Sequence, residues 1–96
     1  MSHLLTLSAE QTIYQAPALQ QQLAEALRQH SDLALDLSQV SDIDCAGAQV
    51  LLWLQAMLQQ DGRPLRLVRP SQPVCSFLQL MGLEQLQACV EHDDES

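Results

Sequence analysis

Positive charge is what this sequence has least of. Four Lys+Arg stand against twelve Asp+Glu, a net charge of −8 over 96 residues. Phosphate contacts need clustered cations, so the balance argues against a nucleic-acid partner. An anionic membrane surface is disfavoured on the same ground. A basic protein is the natural complement. Aromatic residues are nearly absent, at 3%, so the 47% that is apolar has to pack as an aliphatic core of Leu, Ala and Val. No long hydrophobic run is present. The densest stretch, Ala46 to Leu58, is broken by Gln49 and Gln55 and falls short of the roughly 20 residues that span a bilayer. Met1-Ser2-His3 offers no basic region ahead of an apolar one, so no signal peptide is visible. Cys45, Cys75 and Cys89 form an odd, widely spaced set without a CxxC, as expected of reduced thiols in the cytoplasm.

The length gives room for one domain, which can form a modest core without disulfides or metal. Leu4 to Ala9 reads as a strand, with Leu5 and Leu7 alternating with Thr6 and Ser8. Pro17 suits the first turn of a helix whose buried stripe is Leu19, Leu23, Ala26 and Leu27. Leu33, Leu35 and Leu37 alternate as a second strand, with Asp36 on its other face. The polar segment Ser38 to Asp44 follows, and then a helix from Cys45 to about Gln60, closed by Asp61-Gly62. Leu65 to Val68 is the third strand. Ser71 is a candidate N-cap, and Val74, Phe77, Leu78 and Met81 form a helical stripe ended by Gly82. Leu83, Leu86 and Val90 suggest one more short helical turn or two. Residues 1–90 thus make a single domain, and 91–96 are expected to be an acidic, mobile tail. Strands alternating with helices imply a small, mostly parallel or mixed sheet packed against helices. Sites in such sheets gather where strands end and helices begin. The junction from Leu37 to Gly47 is one such place.

Asp36, Asp42 and Asp44 cluster at that junction. Asp44 is placed to cap the helix by accepting from the N–H groups of Ala46 or Gly47. Clustered carboxylates can hold Mg²⁺, but no second ligand cluster supports a metal. The run Leu35-Asp36-Leu37-Ser38-Gln39-Val40-Ser41-Asp42-Ile43-Asp44-Cys45-Ala46-Gly47 resembles the signature of STAS domains, the sulfate-transporter and anti-sigma-factor-antagonist family. There an L-D-L-S stretch leads to D-S-S-G or D-T-x-G at the start of a long apolar helix. Asp36, Ser38, Asp44 and Gly47 match residue by residue, and Leu7-Ser8-Ala9-Glu10 falls where L-x-G-E is usual.

The resemblance implies a non-catalytic binding module. Such domains dock on a partner, often an anti-sigma-factor serine kinase, through the loop before this helix and through the helix. Many are switched by phosphorylation of the Ser or Thr after the motif Asp. Phosphate adds roughly −2 charge, which a helix N-terminus tolerates and a surface shaped for a hydroxyl rejects. Here that position is Cys45, which cannot take part in that reaction. Ser38 or Ser41 would be displaced phosphoacceptors, but neither occupies the motif position. The helix N-terminus favours a thiolate at Cys45 while Asp42 and Asp44 oppose it, so a redox or nucleophilic role has little support. The alignment also leaves out the first of the family's two N-terminal strands. That implies a smaller sheet or a bare edge strand, and leaves self-association as a homodimer open.

A helical turn of 100° per residue puts Gly47, Val50, Leu51, Leu54 and Leu58 toward the sheet. Ala48, Leu52 and Ala56 fall opposite, with Trp53 at the border as either a core-edge residue or an interface anchor. The expected contact set is therefore Ser38, Ser41, Asp42, Asp44, Cys45, Ala46, Gly47, Ala48, Leu52, Trp53 and Ala56. No catalytic constellation competes with it, and no cofactor or metal is called for. His3, His30 and His92 are scattered, and His92 among Asp93, Asp94 and Glu95 reads as solvated tail. Gln11 to Ala16 contains T-I-Y, which resembles short STAS proteins of bacterial chemotaxis signalling and makes a chemotaxis signalling protein a candidate partner. The alternative is a STAS subunit of a phospholipid-transport ABC complex that binds its ATPase. Such subunits resemble D-T-G-G, and the Thr is missing here.

Overall fold

The strands that include Leu5, Leu35 and Leu67 are each followed by a helix in the order that the leucine spacing predicts. The computed structural model describes residues 3–30 and 33–91. Its elements are β1 (His3–Thr6), β2 (Glu10–Gln11), α1 (Ala16–Gln29), β3 (Leu33–Asp36), β4 (Asp42–Ile43), α2 (Cys45–Gln60), β5 (Arg66–Val68), α3 (Gln72–Leu80), α4 (Glu84–Gln87) and β6 (Val90–Glu91). The main sheet runs β1-β3-β5-β6 with every pairing parallel. A second, two-stranded parallel sheet joins β2 to β4, Glu10 opposite Asp42 and Gln11 opposite Ile43.

One face of the main sheet carries the core. Leu33, Leu35, Leu65 and Leu67 pack there with Leu19 and Leu23 of α1, Leu51, Leu54 and Leu58 of α2, Val74 and Leu78 of α3, and Leu86 of α4. β3 is buried along its whole length because it lies between β1 and β5. That burial includes Asp36, which does turn away from the leucines but is not exposed. β1 and β6 are the two outer strands, and their far edges are unpaired among the described residues.

The helix boundaries follow local chemistry. Asp44 caps α2 and Ser71 caps α3, each accepting from N–H groups in the first turn. Gly62 and Gly82 follow the ends of α2 and α3 with φ of 69° and 65°, where a side chain would be strained.

Five expectations need correction. The segment read as a polar loop contains β4, which forms because β2 supplies its backbone partners. Val90 is in strand β6 rather than a helical turn, since Leu67 N–H bonds the Cys89 carbonyl at 2.9 Å and starts a parallel pairing. Glu91 belongs to that strand and not to a tail; residues 92–96, with His92, lie outside the described residues. Met81 is the C-cap of α3 and is exposed, so it does not continue the buried stripe of Val74 and Leu78. The first strand also ends early, at Thr6, where the chain turns toward β2.

A core built from aliphatic side chains is sensitive to lost volume. Leu35→Ala, on the strand that touches both neighbours, should lose about 2–5 kcal/mol of stability, read as a lower urea midpoint with an unchanged slope.

Candidate functional site

The site is assembled at the carboxyl ends of the strands by two carboxylates with different tasks. Asp36 ends β3. Its Oδ1 accepts the N–H of Ser38 at 2.9 Å, and its Oδ2 accepts from Arg69 Nη2 at 2.6 Å. The Arg69 hydrogen bond, then those from the N–H and hydroxyl of Ser38, hold this carboxyl at about 2, below its ordinary 3.8. Arg69 itself sits at φ 50°, an uncommon conformation for a residue with a side chain. The ion pair therefore secures both the loop after β3 and the turn after β5.

Asp44 is the N-cap of α2. Its Oδ1 accepts from Ala46 N–H at 2.9 Å and Gly47 N–H at 3.1 Å, and its Oδ2 accepts from Ile13 N–H at 3.0 Å. These bonds, Gly47's the largest, hold the carboxyl below its usual value. The Asp44 N–H in turn donates to the Gln11 carbonyl at 3.3 Å. That same carbonyl explains Gly47, because a Cβ built there would stand 2.2 Å from Gln11 O. The D-x-x-G spacing is therefore a steric requirement. Its Asp ties β4 and α2 to β2, and its Gly lets the β2 backbone pass.

The loop between β3 and β4 is held from outside as well. Ser41 and Asp42 both donate N–H to the Ala9 carbonyl, at 2.8 and 3.1 Å. Ser71 Oγ donates to the Val40 carbonyl, and Ser71 N–H reaches the Leu37 carbonyl at 3.2 Å. α3 thus braces the loop through its own cap.

Ser38, Ser41, Asp42 and Cys45 are exposed on this frame, and Asp44 and Ala46 are half-buried. Gly47 is buried, as its approach to Gln11 demands. Ala48 is 3% exposed and cannot meet a partner, which corrects its assignment to the outer face. The helix has a third side that periodicity alone does not reveal. Ala48 and Gln55 are seven residues apart and share a flank. That flank is covered where Gln55 Nε2 reaches the Gln85 carbonyl of α4 at 3.3 Å. Leu52 and Trp53 are half-buried and rest against the core, with Trp53 on a groove of about 310 Å³ between α1 and α2. Ala56 is exposed. The outward stripe of α2 is therefore Cys45, Gln49, Ala56 and the visible part of Leu52.

Gln11, Ile13 and Arg69 contribute to the site and lie outside the contact set that the sequence predicts. Thr12-x-x-Gln15 has capping-box spacing, a local signal for this turn beside the T-I-Y stretch. All three cysteines are free. Among the described residues no three His, Cys, Asp or Glu side chains are grouped to hold a metal ion, and no helix is long and apolar enough to cross a membrane.

Residues 2–88 match a family model described as "Mlab, STAS domain". The fold is similar to the crystal structure of a protein described as an anti-sigma factor antagonist from Thermotoga maritima. The TM-score is 0.75 at 20% identity, covering 96% of this chain and 82% of that one. It is also similar to the anti-sigma factor antagonist SpoIIAA in its unphosphorylated form, with TM-score 0.76 at 18% identity, covering 98% of this chain and 81% of that one. No curated protein matches the chain.

Two substitutions test the frame. Gly47→Ala should destabilise the protein by about 1–3 kcal/mol through overpacking against Gln11, measured by urea unfolding. For Asp36 the folded value lies below the ordinary one, so its contribution to stability is full above about 3.8 and lost as pH falls toward about 2. Asp36→Asn should remove that part of the acid dependence, seen as a shallower fall in melting temperature between those two pH values.

Proposed function

Since the chain belongs to the STAS domain family, we propose that it is a non-catalytic interaction module of bacterial signalling, working in the cytoplasm in the manner of an anti-sigma-factor antagonist. It docks a serine kinase of the anti-sigma-factor type, or a chemotaxis signalling protein, through the Ser38–Gly47 loop and the outer face of α2. One observation carries this reading. In a chain of net charge −8, the sixteen residues of α2 include no charged side chain. Their outward stripe is small or uncharged and begins at the exposed Cys45. A helix that only faced water would gain from charge on that side. A surface awaiting a protein is depleted of charge at its centre.

Cys45 stands directly after the capping Asp44, the position that carries the phosphorylated Ser or Thr in switched members of the family. With a thiol there, the module keeps its docking surface and lacks the usual phosphate switch. The T-I-Y stretch, Thr12 to Tyr14, lies against the same surface through the Ile13–Asp44 bond and supports a chemotaxis partner.

The test is capture of the native partner by the wild-type chain, by Leu52→Glu and by Cys45→Ser. Leu52→Glu should retain the wild-type circular dichroism spectrum and bind at least about tenfold more weakly, about 1.4 kcal/mol. Full-strength capture by a folded Leu52→Glu would contradict the reading. A captured kinase should leave wild type unmodified and, if the ancestral switch surface survives, phosphorylate Cys45→Ser and then release it. An ABC ATPase as the dominant partner would instead favour the phospholipid-transport alternative.

A further inference from the structure

Tyr14 is the only tyrosine of the chain, and it is 88% exposed; Ile13 beside it is 62% exposed. Single exposed apolar residues are ordinary on protein surfaces. These two differ in how firmly their backbone is held. Gln15 Oε1 accepts from both the N–H and the hydroxyl of Thr12, at 3.1 and 2.6 Å. The Thr12 carbonyl accepts from the N–H groups of Gln15 and Ala16, each at 2.9 Å. Ile13 N–H is bound to Asp44, the cap of α2, and Gln15 Nε2 reaches Glu10 Oε1 at 3.4 Å. The backbone from Thr12 to Ala16 is thus fixed within itself and to two neighbouring elements, while the side chains of Ile13 and Tyr14 are left outside. Its conformational entropy is lost on folding, so a partner need not order it. Tyrosine adds a large, stiff contact area with few rotamers to freeze.

The surroundings define what fits. Glu10 and Asp42 are directly opposite each other in the β2–β4 pair, and Asp44 lies beneath Ile13. The four arginines are engaged on other carboxylates: Arg28 on Glu25, Arg63 on Asp61, Arg66 beside Glu91 and Arg69 on Asp36. An apolar pair with an acidic rim matches the anatomy of a docking hot spot for a cationic partner.

We propose that the Thr12–Gln15 turn is a preformed docking knuckle for a partner-protein segment that carries an apolar side chain next to Arg or Lys. The apolar group covers Ile13 and Tyr14, and the cation meets Glu10 and Asp42, with the tyrosine ring available to an arginine face. A second copy of this chain is a poor occupant, because a two-fold contact would press the acidic rim against itself. The proposal rests on the binding-module reading and extends its surface from α2 to the neighbouring turn.

The experiment uses the full chain and a phage-displayed library of random peptides as the probe, with selected peptides then titrated as free molecules. The variants are Leu52→Glu and the double variant Ile13→Ser/Tyr14→Ala, whose exposed positions leave the fold intact, as an unchanged melting temperature would verify. Enriched peptides should pair Arg or Lys with Leu, Ile, Met or Phe, weaken with added salt, and bind the double variant about tenfold or more weakly. The proposal is overturned by an acidic or uncharged consensus, by no enrichment, or by equal affinity for the double variant. It is overturned too by a wild-type dimer that the double variant lacks, which would make the second copy the occupant. Peptides that lose Leu52→Glu but keep the double variant would leave the α2 reading standing and remove the knuckle. The reverse pattern would keep the knuckle and remove the α2 surface.

Discussion

The Asp44 carboxylate is the point on which this end of the molecule depends. It receives N–H groups from Ala46 and Gly47 in α2 and from Ile13 in the turn before α1. One side chain thereby sets the start of the long helix and the position of a segment 31 residues earlier. The Gln11 carbonyl completes the arrangement from the other side by accepting the Asp44 N–H and coming close enough to Gly47 to forbid a side chain there. Two short strands of two residues each would not pair stably alone. They persist because Asp44 and Gly47 clamp their ends to the helix.

Asp36 does a related job under different conditions. It is buried at the end of the central strand, where an unpaired charge would be costly. Arg69 and Ser38 satisfy it, and the loop that follows is thereby directed toward β4. The two carboxylates divide the work. Asp36 fixes where the loop leaves the sheet, and Asp44 fixes where it enters α2. The exposed residues between them, Ser38, Ser41 and Asp42, are held at both ends and braced by Ala9 and Ser71. Their backbone is therefore tied to β2, α3 and the end of β3.

What could be read in advance was local. The Asp44 and Ser71 caps, the glycines after α2 and α3, and the leucine stripes depend on residues within a turn or two of one another, so spacing reveals them. β4 and β6 were not visible, because a two-residue strand has no period of its own and exists only through its partner. The Arg69–Asp36 pair joins residues 33 apart, and nothing near either one announces the other. Ala48 departs from its expected face for a similar reason. Helical periodicity separates a sheet side from an opposite side, but α4 covers a flank that only tertiary packing creates. Trp53 shows the same effect, since it lies over the seam with α1 and rests on the core.

The distribution of charge gives the proposed surface its physical sense. A net charge of −8 repels copies of the chain from one another and from acidic proteins, and attracts basic ones at a distance. Charge at the centre of a contact, however, has to be desolvated when the contact forms, and that loss offsets much of the attraction. The chain separates the two effects. Carboxylates at Glu10 and Asp42 stand at the rim, where they remain in water and act on encounter. α2 carries none, and the neighbouring turn exposes isoleucine and tyrosine, so the area that is dried on docking is the area that loses least by drying. Replacing a hydroxyl with the thiol of Cys45 fits the same logic. On the proposed reading, Cys45 keeps the helix start small and offers no hydroxyl to a kinase.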